Sequence, residues 1–475
     1  MIDVEMIETS TLGDRSYLVT DGDVAVAVDP QRDVDRIIAT AGRLGVRISQ
    51  VVETHLHNDY VSGGLELARL TGASYAVAAA DDVQFERRRV TDGDELEVSP
   101  RLRLRVLATP GHTFHHLSYA LEGPDGPRGV FTGGSLLYGG TGRTDLLGDE
   151  HAETLARAQH ASARTLAELL PDGAQVWPTH GFGSFCAASP AAAGSSTLGH
   201  EKEVNPVLRL DRDEFVRETL SRLGAYPTYF AHLGARNGVG PQGVDLRPPS
   251  VADPLELARR LYAGEWVIDL RSRKAYLDSH LARTVSLGLD GPMATWLGWL
   301  AGLDAPITLL GENPAQVAQA QRELVRIGID RVVAAATGTP HQLAVDPTQL
   351  SSLPTASFAE LAGELTGKRT PELPVAQVVL DVRLRGEWDA AHVRGAVHIP
   401  LPELPARMGE VPDGAVWVHC ASGYRAAAAA TLLTRAGRDV VVIDDTFDTA
   451  EDAGIPLTAG APVQGPQKPA AEVNR

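Results

Sequence analysis

A motif that occurs twice in the C-terminal half constrains this chain more than any other sequence feature. The recurring residues are Asp269, Arg271, Tyr276, His280 and Val285 and, at a constant offset of 112 positions, Asp381, Arg383, Trp388, His392 and Val397. In each copy a β-rich run follows, at residues 306–310 and 415–419, and then a polar turn and an alanine-rich helical segment. A duplicated strand–loop–helix unit predicts two similar α/β domains with parallel sheets. We place them at residues 251–347 and 354–460.

The length of the chain indicates more than one domain, and its charge limits the kinds of partner that it can bind. Its 475 residues exceed the ~250–300 residues at which a single hydrophobic core stops growing. The 43% hydrophobic and 22% charged residues are typical of a globular protein. The formal net charge is −18. Because such a surface repels phosphate backbones and anionic lipids, we expect neither a nucleic-acid nor a membrane partner.

The cysteine content and the N-terminal sequence indicate the cellular compartment of the protein. Cys186 and Cys420 fall in different predicted domains, and two cysteines cannot form a disulfide framework. This usage is typical of a reducing cytoplasm. The N-terminal residues show no basic segment followed by an apolar one, and no apolar run approaches the ~20 residues of a membrane span. We therefore expect a cytoplasmic protein.

Strand-like runs in the first 230 residues end in Gly- or Pro-rich turns that carry polar side chains. These runs are residues 48–53, 103–108, 130–132 and 174–177. Loops at strand ends are common places for functional sites, so we expect an α/β domain with a site over residues 1–232. Gly, Pro and Asn predict a linker over residues 233–250. Pro, Ala, Gln and Lys predict a disordered tail over residues 461–475.

Four histidines in these turns are candidate metal ligands. His55, His57 and Asp59 alternate along the loop that follows a strand, and alternate positions of an extended loop can point to the same side. His112, in a Pro-Gly-His turn, and His180, in a Pro-Thr-His-Gly turn, would join them from the same sheet edge. Imidazole nitrogens are common ligands of transition metals. The pattern therefore predicts a metal site.

In their order along the chain, these motifs resemble those of the metallo-β-lactamase superfamily, and most of all its persulfide dioxygenase and glyoxalase II branch. The matching stretches are Thr54-His55-x-His57-x-Asp59, Thr109-Pro110-Gly111-His112-Thr113, Phe131-Thr132-Gly133 and Gly142-Arg143-Thr144-Asp145. The resemblance implies an αββα sandwich over about residues 1–232. It also implies one Fe(2+) per chain, held in the persulfide dioxygenase branch by a first-motif histidine, by His112 and by an aspartate. Arg143 matches a position near the thiol substrate.

Tyr60 is the first departure from the superfamily pattern, which usually has a histidine for a second metal at this place. A neutral phenol is a weak ligand for a divalent ion, so we expect one ion and not two. Dinuclear hydrolysis needs two ions, and Tyr60 therefore favours the mononuclear dioxygenase branch. We also expect Tyr60 at the substrate side of the site.

Gly134 is the second departure, because the aspartate of the family follows Phe-Thr-Gly. Without it the iron loses its one anionic ligand. Asp59 or Asp145 is one substitute. The alternatives are three neutral imidazoles, which favour zinc, or a domain that no longer binds metal. The imidazoles in question belong to His55, His57 and His112, with Asp59 and His180 supporting or completing the set.

Cys420 is the candidate nucleophile. It follows an apolar strand, and a helix is predicted from residue 426. The loop between them, Ala421, Ser422, Gly423 and Tyr424, would direct backbone N–H groups at the sulfur beside a helix N-terminus. Together with Arg425 these dipoles favour the thiolate, and the same cradle would stabilise a persulfide.

The second copy of the repeat resembles the rhodanese fold. The matching stretches are Asp381-Val382-Arg383, Glu387-Trp388, His392-Val393-Arg394-Gly395-Ala396 and Val418-His419-Cys420-Ala421-Ser422-Gly423-Tyr424-Arg425. The resemblance implies sulfur transfer, with Cys420 as persulfide carrier and Arg425 as its anion-stabilising partner. Cysteine phosphatases that resemble this fold have a longer loop, and the tighter loop here suits sulfane sulfur. The first copy has Leu310-Gly311-Glu312-Asn313-Pro314 at this place and no cysteine, so we expect a spacer or docking surface.

The whole layout resembles bacterial metallo-β-lactamase–rhodanese fusions. This resemblance implies that the chain oxidises a low-molecular-weight thiol persulfide to sulfite with O2 and transfers sulfane sulfur at Cys420, and homo-oligomers are common in the family. A zinc-dependent thioester hydrolase of glyoxalase II type is one alternative. A metal-inert scaffold for a sulfur-relay domain is another. The thiol carrier stays open among glutathione, coenzyme A, mycothiol and bacillithiol.

Overall fold

The chain divides into two compact units in a computed structural model that describes residues 2–181, 183–188, 194–368 and 370–459. One unit comprises residues 1–245 with 325–328, and the other residues 246–324 with 329–475. The tail predicted over residues 461–475 lies outside the described residues. No helix in the described part of the chain is both long and apolar enough to cross a bilayer.

The N-terminal unit alternates strands and helices. Its strands are β1 (Asp3–Thr9), β2 (Asp14–Thr20), β3 (Val24–Val28), β4 (Arg47–Val52), β5 (Ser74–Ala78), β6 (Arg88–Val90), β7 (Glu95–Ser99), β8 (Leu102–Ala108), β9 (Leu117–Gly123), β10 (Gly126–Gly133), β11 (Gln175–Pro178) and β12 (Ser196–Thr197). Its helices are α1 (Asp35–Leu44), α2 (Gly64–Thr71), α3 (Asp149–Leu169), α4 (Leu198–Val204), α5 (Pro206–Arg209), α6 (Arg212–Arg222) and α7 (Phe230–Val239).

These elements form four layers. One sheet has the order β1-β2-β3-β4-β5-β6 and the other β12-β11-β10-β9-β8-β7. Apolar residues of both sheets, such as Val28 and Phe131, share one buried cluster between them. The outer face of the first sheet packs on α1 and α2, and that of the second sheet on α3 and α6. The predicted αββα sandwich is therefore confirmed.

The C-terminal unit consists of shorter elements. Its helices are α8 (Pro254–Tyr262), α9 (Arg273–Asp278), α10 (Met293–Ala301), α11 (Pro314–Arg326), α12 (Pro340–Leu343), α13 (Phe358–Leu365), α14 (Arg385–Ala390), α15 (Leu404–Arg407) and α16 (Tyr424–Arg435). Its strands are β13 (Trp266–Asp269), β14 (His280–Leu281), β15 (Val285–Ser286), β16 (Ile307–Gly311), β17 (Val332–Thr337), β18 (Leu350–Ser351), β19 (Thr355–Ala356), β20 (Val378–Asp381), β21 (His392–Val393), β22 (Val397–His398), β23 (Val416–His419), β24 (Val440–Ile443) and β25 (Leu457–Thr458). Short 3-10 helices cover Pro347–Gln349, Leu401–Glu403, Met408–Glu410 and Phe447–Thr449.

The duplicated motif corresponds to a duplicated topology. The first copy forms a parallel sheet of order β15-β13-β16-β17, and the second a parallel sheet of order β22-β20-β23-β24-β19. A two-stranded antiparallel sheet accompanies each of them, β14 with β18 and β21 with β25. Strand order thus supports two similar α/β domains, whose bounds stay predictions.

The predicted linker over residues 233–250 needs a correction, because Phe230–Val239 form the helix α7. Its apolar residues Phe230 and Leu233 are buried, and so is Asn237. The glycines of this stretch suggested a loop, but burial of one helix face outweighs their low helix propensity.

Candidate metal and sulfur sites

Three buried histidines from three strand ends form the centre of the N-terminal site. His55 follows β4, His112 follows β8 and His180 follows β11. Their ligand nitrogens lie within 4.8 Å of one another. The ring centroids of His55 and His112 are 4.8 Å apart, and each lies 5.2 Å from that of His180. The strand-end turns therefore meet at one point.

The outward ring nitrogen of each histidine has a hydrogen-bonding partner. The pairs are His55 Nδ1 with Thr54 Oγ1 at 2.9 Å, His112 Nδ1 with Arg143 O at 2.8 Å, and His180 Nδ1 with Asp14 Oδ1 at 3.0 Å. A carbonyl can only accept, so His112 Nδ1 carries the proton and Nε2 is left with its lone pair. In metal sites such outer hydrogen bonds orient the ligating rings.

The inward nitrogens fit a metal ion. His112 Nε2 is buried and has no hydrogen-bond partner among the described residues. His55 Nε2 and His180 Nε2 are only 3.2 Å apart. A bound cation would satisfy the orphaned nitrogen and use the lone pairs of the other two. Three imidazoles with a fourth position open to water or substrate match a catalytic zinc site, and also suit iron.

Two glycines form the slot that holds the His112 ring. A Cβ atom at Gly134 would lie 2.3 Å from His112 Cδ2, and one at Gly142 would lie 2.6 Å from His112 Nδ1. Contacts this short exclude a side chain at either position unless the ring moves. The His112 ring therefore lies where a side chain at position 134 would begin.

His57 points one nitrogen away from this centre. Its Nε2 lies 2.9 Å from Tyr60 Oη, 3.3 Å from Glu53 Oε2 and 3.4 Å from Asp29 Oδ1. Burial alone would lower the pKa of His57, but the two carboxylates outweigh it and raise the pKa to about 9. His57 also belongs to a second group of possible ligands, with Asp59 and His180.

The five predicted metal residues are therefore brought together in two overlapping groups that share His180. A neutral imidazole offers one lone pair, so the two groups compete for His180. These two groups therefore hold one ion at a time, whereas His57 also lies in a third group, with Asp29 and Glu53, that shares no residue with the first. Both groups contain buried ligand atoms without a hydrogen-bond partner among the described residues, His112 Nε2 in the first and His57 Nδ1 and Asp59 Oδ1 in the second. His57 was predicted in that group, where the structure instead places His180.

The imidazole rings of His112 and His180 differ in their protonation state. Burial lowers the pKa of His112 to about 3, so this ring is neutral and ready to ligate. Burial opposes the charge of His180 as well, but Asp59 and Asp14 raise its pKa to about 10. His180 is therefore protonated in the metal-free chain and must release a proton when a metal binds.

The sequence motifs did not identify several residues that support the site. Asp29 accepts hydrogen bonds from Thr54 N at 2.7 Å, from Thr54 Oγ1 at 2.8 Å and from the hydroxyl of Thr179, so it joins three strand-end loops. Its φ of 48° is unusual outside glycine. His116 accepts from Gly134 N at 3.0 Å. An aspartate directly after the apolar run of β3 was a signal of the same kind as the histidines.

Arg143 and Tyr60, the predicted substrate contacts, are both buried. Arg143 forms a bidentate ion pair with Asp145, at 2.7 and 2.8 Å, and its guanidinium lies 4.3 Å from the ring centroid of Tyr226. Tyr60 donates or accepts at His57, and burial raises its pKa well above the usual value, so it stays a neutral phenol. The pair of Arg143 with Asp145 occupies the carboxylate that was considered as a substitute ligand.

Cys186 lies buried in the same unit. Burial raises the pKa of its thiol well above the usual value, and the nearby carboxylate of Asp59 acts in the same direction. A neutral buried thiol is not a nucleophile. Cys186 therefore fits a structural role in the core of this unit.

Cys420 lies between β23 and α16 in the C-terminal unit. Gly423 N donates to its Sγ at 3.2 Å, with Gly423 in the left-handed region at φ 92°. The residue is 1% exposed, whereas Ser422 in the same loop is exposed. A sulfur donor therefore reaches the sulfur only if the loop or its neighbours move.

Arg425 pairs with a carboxylate rather than standing free. Its Nη1 and Nη2 lie 2.5 and 2.7 Å from the Glu387 carboxylate. Burial alone would lower the pKa of Arg425, but Glu387 and Cys420 raise it above its usual range. The guanidinium thus stays charged beside the sulfur.

The strand order, the histidine centre and the cysteine loop define the class of this protein. A family model of the metallo-β-lactamase superfamily matches residues 13–180, and one of the rhodanese-like domain matches residues 360–449. The chain belongs to the metallo-β-lactamase superfamily and carries a rhodanese-like domain in its C-terminal unit. A second rhodanese-like domain, over residues 251–347, stays a prediction supported by the shared strand order.

Individual relatives come from two branches of the superfamily. Hydroxyacylglutathione hydrolase of Nitrosococcus oceani is 30% identical over 230 residues, which cover 43% of this chain and 84% of the relative. The mitochondrial persulfide dioxygenase ETHE1 of Bos taurus is 31% identical over 215 residues, which cover 44% of this chain and 74% of the relative. Both predicted branches are therefore represented among the relatives.

A crystal structure of a metallo-β-lactamase from Staphylococcus aureus subsp. aureus COL is similar over a longer stretch. The TM-score is 0.63 at 29% identity, and the similarity covers 71% of this chain and 99% of that chain. Because the N-terminal unit is about half of this chain, the similarity extends into the C-terminal unit.

Proposed function

We propose that the chain is a mononuclear persulfide dioxygenase joined to a sulfurtransferase. One observation carries the proposal: His55, His112 and His180 form one buried group of ligand nitrogens, and the Nε2 of His112 in that group has no hydrogen-bond partner among the described residues. Tyr60, whose neutral phenol is a weak metal ligand, stands where the superfamily usually has a histidine for a second ion. One ion disfavours the hydrolysis that needs two metals. The relatives include a persulfide dioxygenase.

The overall reaction balances without a further reductant. One thiol persulfide, one O2 and one water give one thiol, one sulfite and two protons. A bound Fe(2+) would supply the activation of oxygen. His55, His112 and His180 would hold it, and their outer hydrogen bonds keep the rings in place. His180 would pass its proton to Asp14 or Asp59 as the ion binds.

The rhodanese-like domain supports the sulfur-transfer half. Cys420 Sγ would attack a sulfane donor such as thiosulfate, forming Cys–S–S⁻ and releasing sulfite. The amide of Gly423 and the charge of Arg425 stabilise the anion on either side of this step. Both cysteines are free, and we propose the cytoplasm as the reducing compartment for this chemistry.

A zinc-dependent thioester hydrolase is the second candidate, and a specific observation favours it. Gly134 leaves the centre without the anionic ligand that iron oxygenases use, and three neutral imidazoles favour zinc. Relatives that are hydroxyacylglutathione hydrolases agree with this alternative.

Metal content and oxygen uptake decide between the candidates. We expect purified full-length chain to hold about one iron per chain, and anaerobically iron-loaded chain to consume O2 when glutathione persulfide is added. His112→Ala is the matched control, because it removes the orphaned nitrogen and should lose both metal and uptake. Iron-loaded chain without oxygen uptake would disprove the dioxygenase, and hydrolysis of a hydroxyacylglutathione by zinc-loaded chain would establish the alternative.

A further inference from the structure

An ion pair from the first repeat lies against the cysteine loop of the second. Arg273 Nε, at the start of α9, is 2.6 Å from Asp444 Oδ1, which follows β24. A Cβ atom at Gly423 would lie 2.3 Å from this Asp444 oxygen and 2.9 Å from Arg273 Nε. Gly423 is the residue whose amide donates to Cys420 Sγ. One residue thus separates the ion pair from the sulfur.

The next loop residue is held by the first repeat as well. Tyr424 Oη donates to Gly288 O at 2.9 Å. A Cβ atom at Gly291 would lie 2.3 Å from Tyr424 Cε2, so only glycine leaves room for the ring. After it comes Arg425, whose guanidinium lies 5.6 Å from the ring centroid of Trp296 on α10. Three consecutive residues therefore meet the cysteine-less copy.

The repeat provides an internal comparison for Arg273. Its counterpart at the same offset is Arg385, which pairs with Asp389 on its own helix α14 at 3.0 Å and is 60% exposed. Arg273 is 26% exposed, and its partner Asp444 is 12% exposed. The two arginines thus differ, because Arg385 pairs within its own helix whereas Arg273 pairs with a carboxylate beside the cysteine loop of the other copy.

We propose that the cysteine-less repeat is a positioning element of the Cys420 site, acting through Arg273, which neutralises Asp444 beside Gly423. This inference rests on the proposed sulfur transfer at Cys420. Arg273 does not touch the sulfur. It keeps a carboxylate from competing for the loop amide and from repelling an anionic sulfur.

The physical reason is the sign of the charges around the loop. A carboxylate accepts hydrogen bonds from backbone N–H groups more strongly than a thiolate does, so an unpaired Asp444 would draw the Gly423 amide towards itself. Its negative charge would also disfavour the thiolate and the persulfide anion. When Arg273 pairs with Asp444, the carboxylate neither competes for the Gly423 amide nor repels the anionic sulfur.

Alkylation of Cys420 in the full-length chain tests the proposal. The rate with iodoacetamide is measured at pH 7 and at pH 10, where thiols are largely ionised, and the modified residue is located by mass spectrometry. For Arg273→Ala we expect the ratio of the pH 7 rate to the pH 10 rate to fall about threefold to tenfold, the size expected for one lost charge interaction. A change in access alone would alter both rates equally.

Three further variants identify the cause. Arg273→Lys keeps the charge and should keep most of the ratio. The double variant R273A/D444N removes the carboxylate beside Gly423, the nearer of the two partners of Arg273, and should restore most of the ratio. Arg385→Ala is the matched control from the other copy and should not change it. Arg425 and Glu387 keep their ion pair in all of these variants, whereas Asp290, which lies 3.8 Å from Arg273 Nη1, loses this partner in R273A and in R273A/D444N.

The outcomes separate this inference from the proposed function. A ratio for R273A equal to that of wild type and R385A, or no recovery in the double variant, would overturn the role of Arg273. A wild-type chain that forms no persulfide at Cys420 with thiosulfate would instead overturn the sulfur transfer, and the alkylation ratios would still decide the positioning role. Thermal unfolding of each variant checks that it is folded.

Discussion

The His112 ring depends on two neighbouring glycines rather than on its own turn alone. Gly134 and Gly142 leave a slot of the width of an imidazole, and Arg143 O fixes the tautomer. A ring that lies against two glycines and is hydrogen-bonded at Nδ1 has little freedom to rotate. Gly134, which departs from the superfamily pattern, therefore makes room for His112, a candidate ligand that follows the pattern.

Gly134→Ala should consequently weaken metal binding. The added Cβ displaces the His112 ring, and perturbed orientation of a ligating histidine costs about tenfold or more in metal affinity. Metal analysis of the purified variant and a competition titration with a chelator measure this. Gly42→Ala is the control, because Gly42 is exposed on α1 with nothing within 4 Å of the added atom. Unchanged metal content in G134A would show that His112 is not a ligand.

His419 makes the rhodanese-like domain sensitive to acid. It is buried between the rings of Phe358 and Phe447, and burial lowers its pKa to about 4 from the ordinary 6.5. Between pH 6.5 and pH 4 the unfolded chain therefore binds a proton that the folded chain does not. By linkage, protonation of His419 does not reduce the free energy of unfolding above pH 6.5. Below pH 6.5 it reduces this free energy progressively as the pH falls to 4.

His419→Phe should remove this loss. The difference in free energy of unfolding between variant and wild type should grow by roughly 2–3 kcal/mol from pH 7 to pH 4. Denaturant unfolding followed by circular dichroism at several pH values measures it. His341→Gln, at an exposed position of α12, is the control. A difference that is constant with pH would contradict the assignment.

At the scale of elements, α7 secures the metal loop. Asn237 Oδ1 accepts from Ser62 N at 2.9 Å, and its Nδ2 donates to His57 O at 2.8 Å and to Tyr60 O at 2.9 Å. One side chain thus satisfies three buried backbone groups of the loop between β4 and α2. A segment with the composition of a linker is therefore part of the site.

Asn237→Ala should loosen this loop. Three buried backbone groups would lose their partner, which costs about 1–3 kcal/mol for each group that stays unsatisfied. We expect a lower melting temperature and a reduced metal content. His232→Ala changes an exposed residue of the same helix and should leave both unchanged. Equal metal content in the two variants would show that α7 does not support the loop.

For the whole molecule, the two units carry separate cores and separate chemical sites. His112→Ala should abolish metal binding and oxygen uptake while sulfur transfer from thiosulfate continues. Cys420→Ser should do the reverse. Steady-state assays of both reactions on both variants, with metal analysis, test this. Transfer retained by C420S would mean that Cys186 or another group carries the sulfur.

The architecture could be predicted from the sequence because its signals are local. Alternating apolar residues and Gly- and Pro-rich turns depend only on neighbours along the chain, and the motif that recurs after 112 residues is visible in the sequence without any structure. They indicated α/β domains, the strand-end histidines and the loop after Cys420, and the αββα sandwich was implied by the resemblance to the metallo-β-lactamase superfamily. Composition failed at α7, where packing of one helix face decides.

What the sequence determined by itself is which donor groups stand at strand ends; their pairing was decided only by the tertiary structure. His180 meets His55 across 125 positions, and Arg273 meets Asp444 across 171. Tyr60 and two carboxylates turn one nitrogen of His57 outward. Such contacts depend on side-chain direction and on which loops the sheets bring together, and neither is encoded by spacing along the chain.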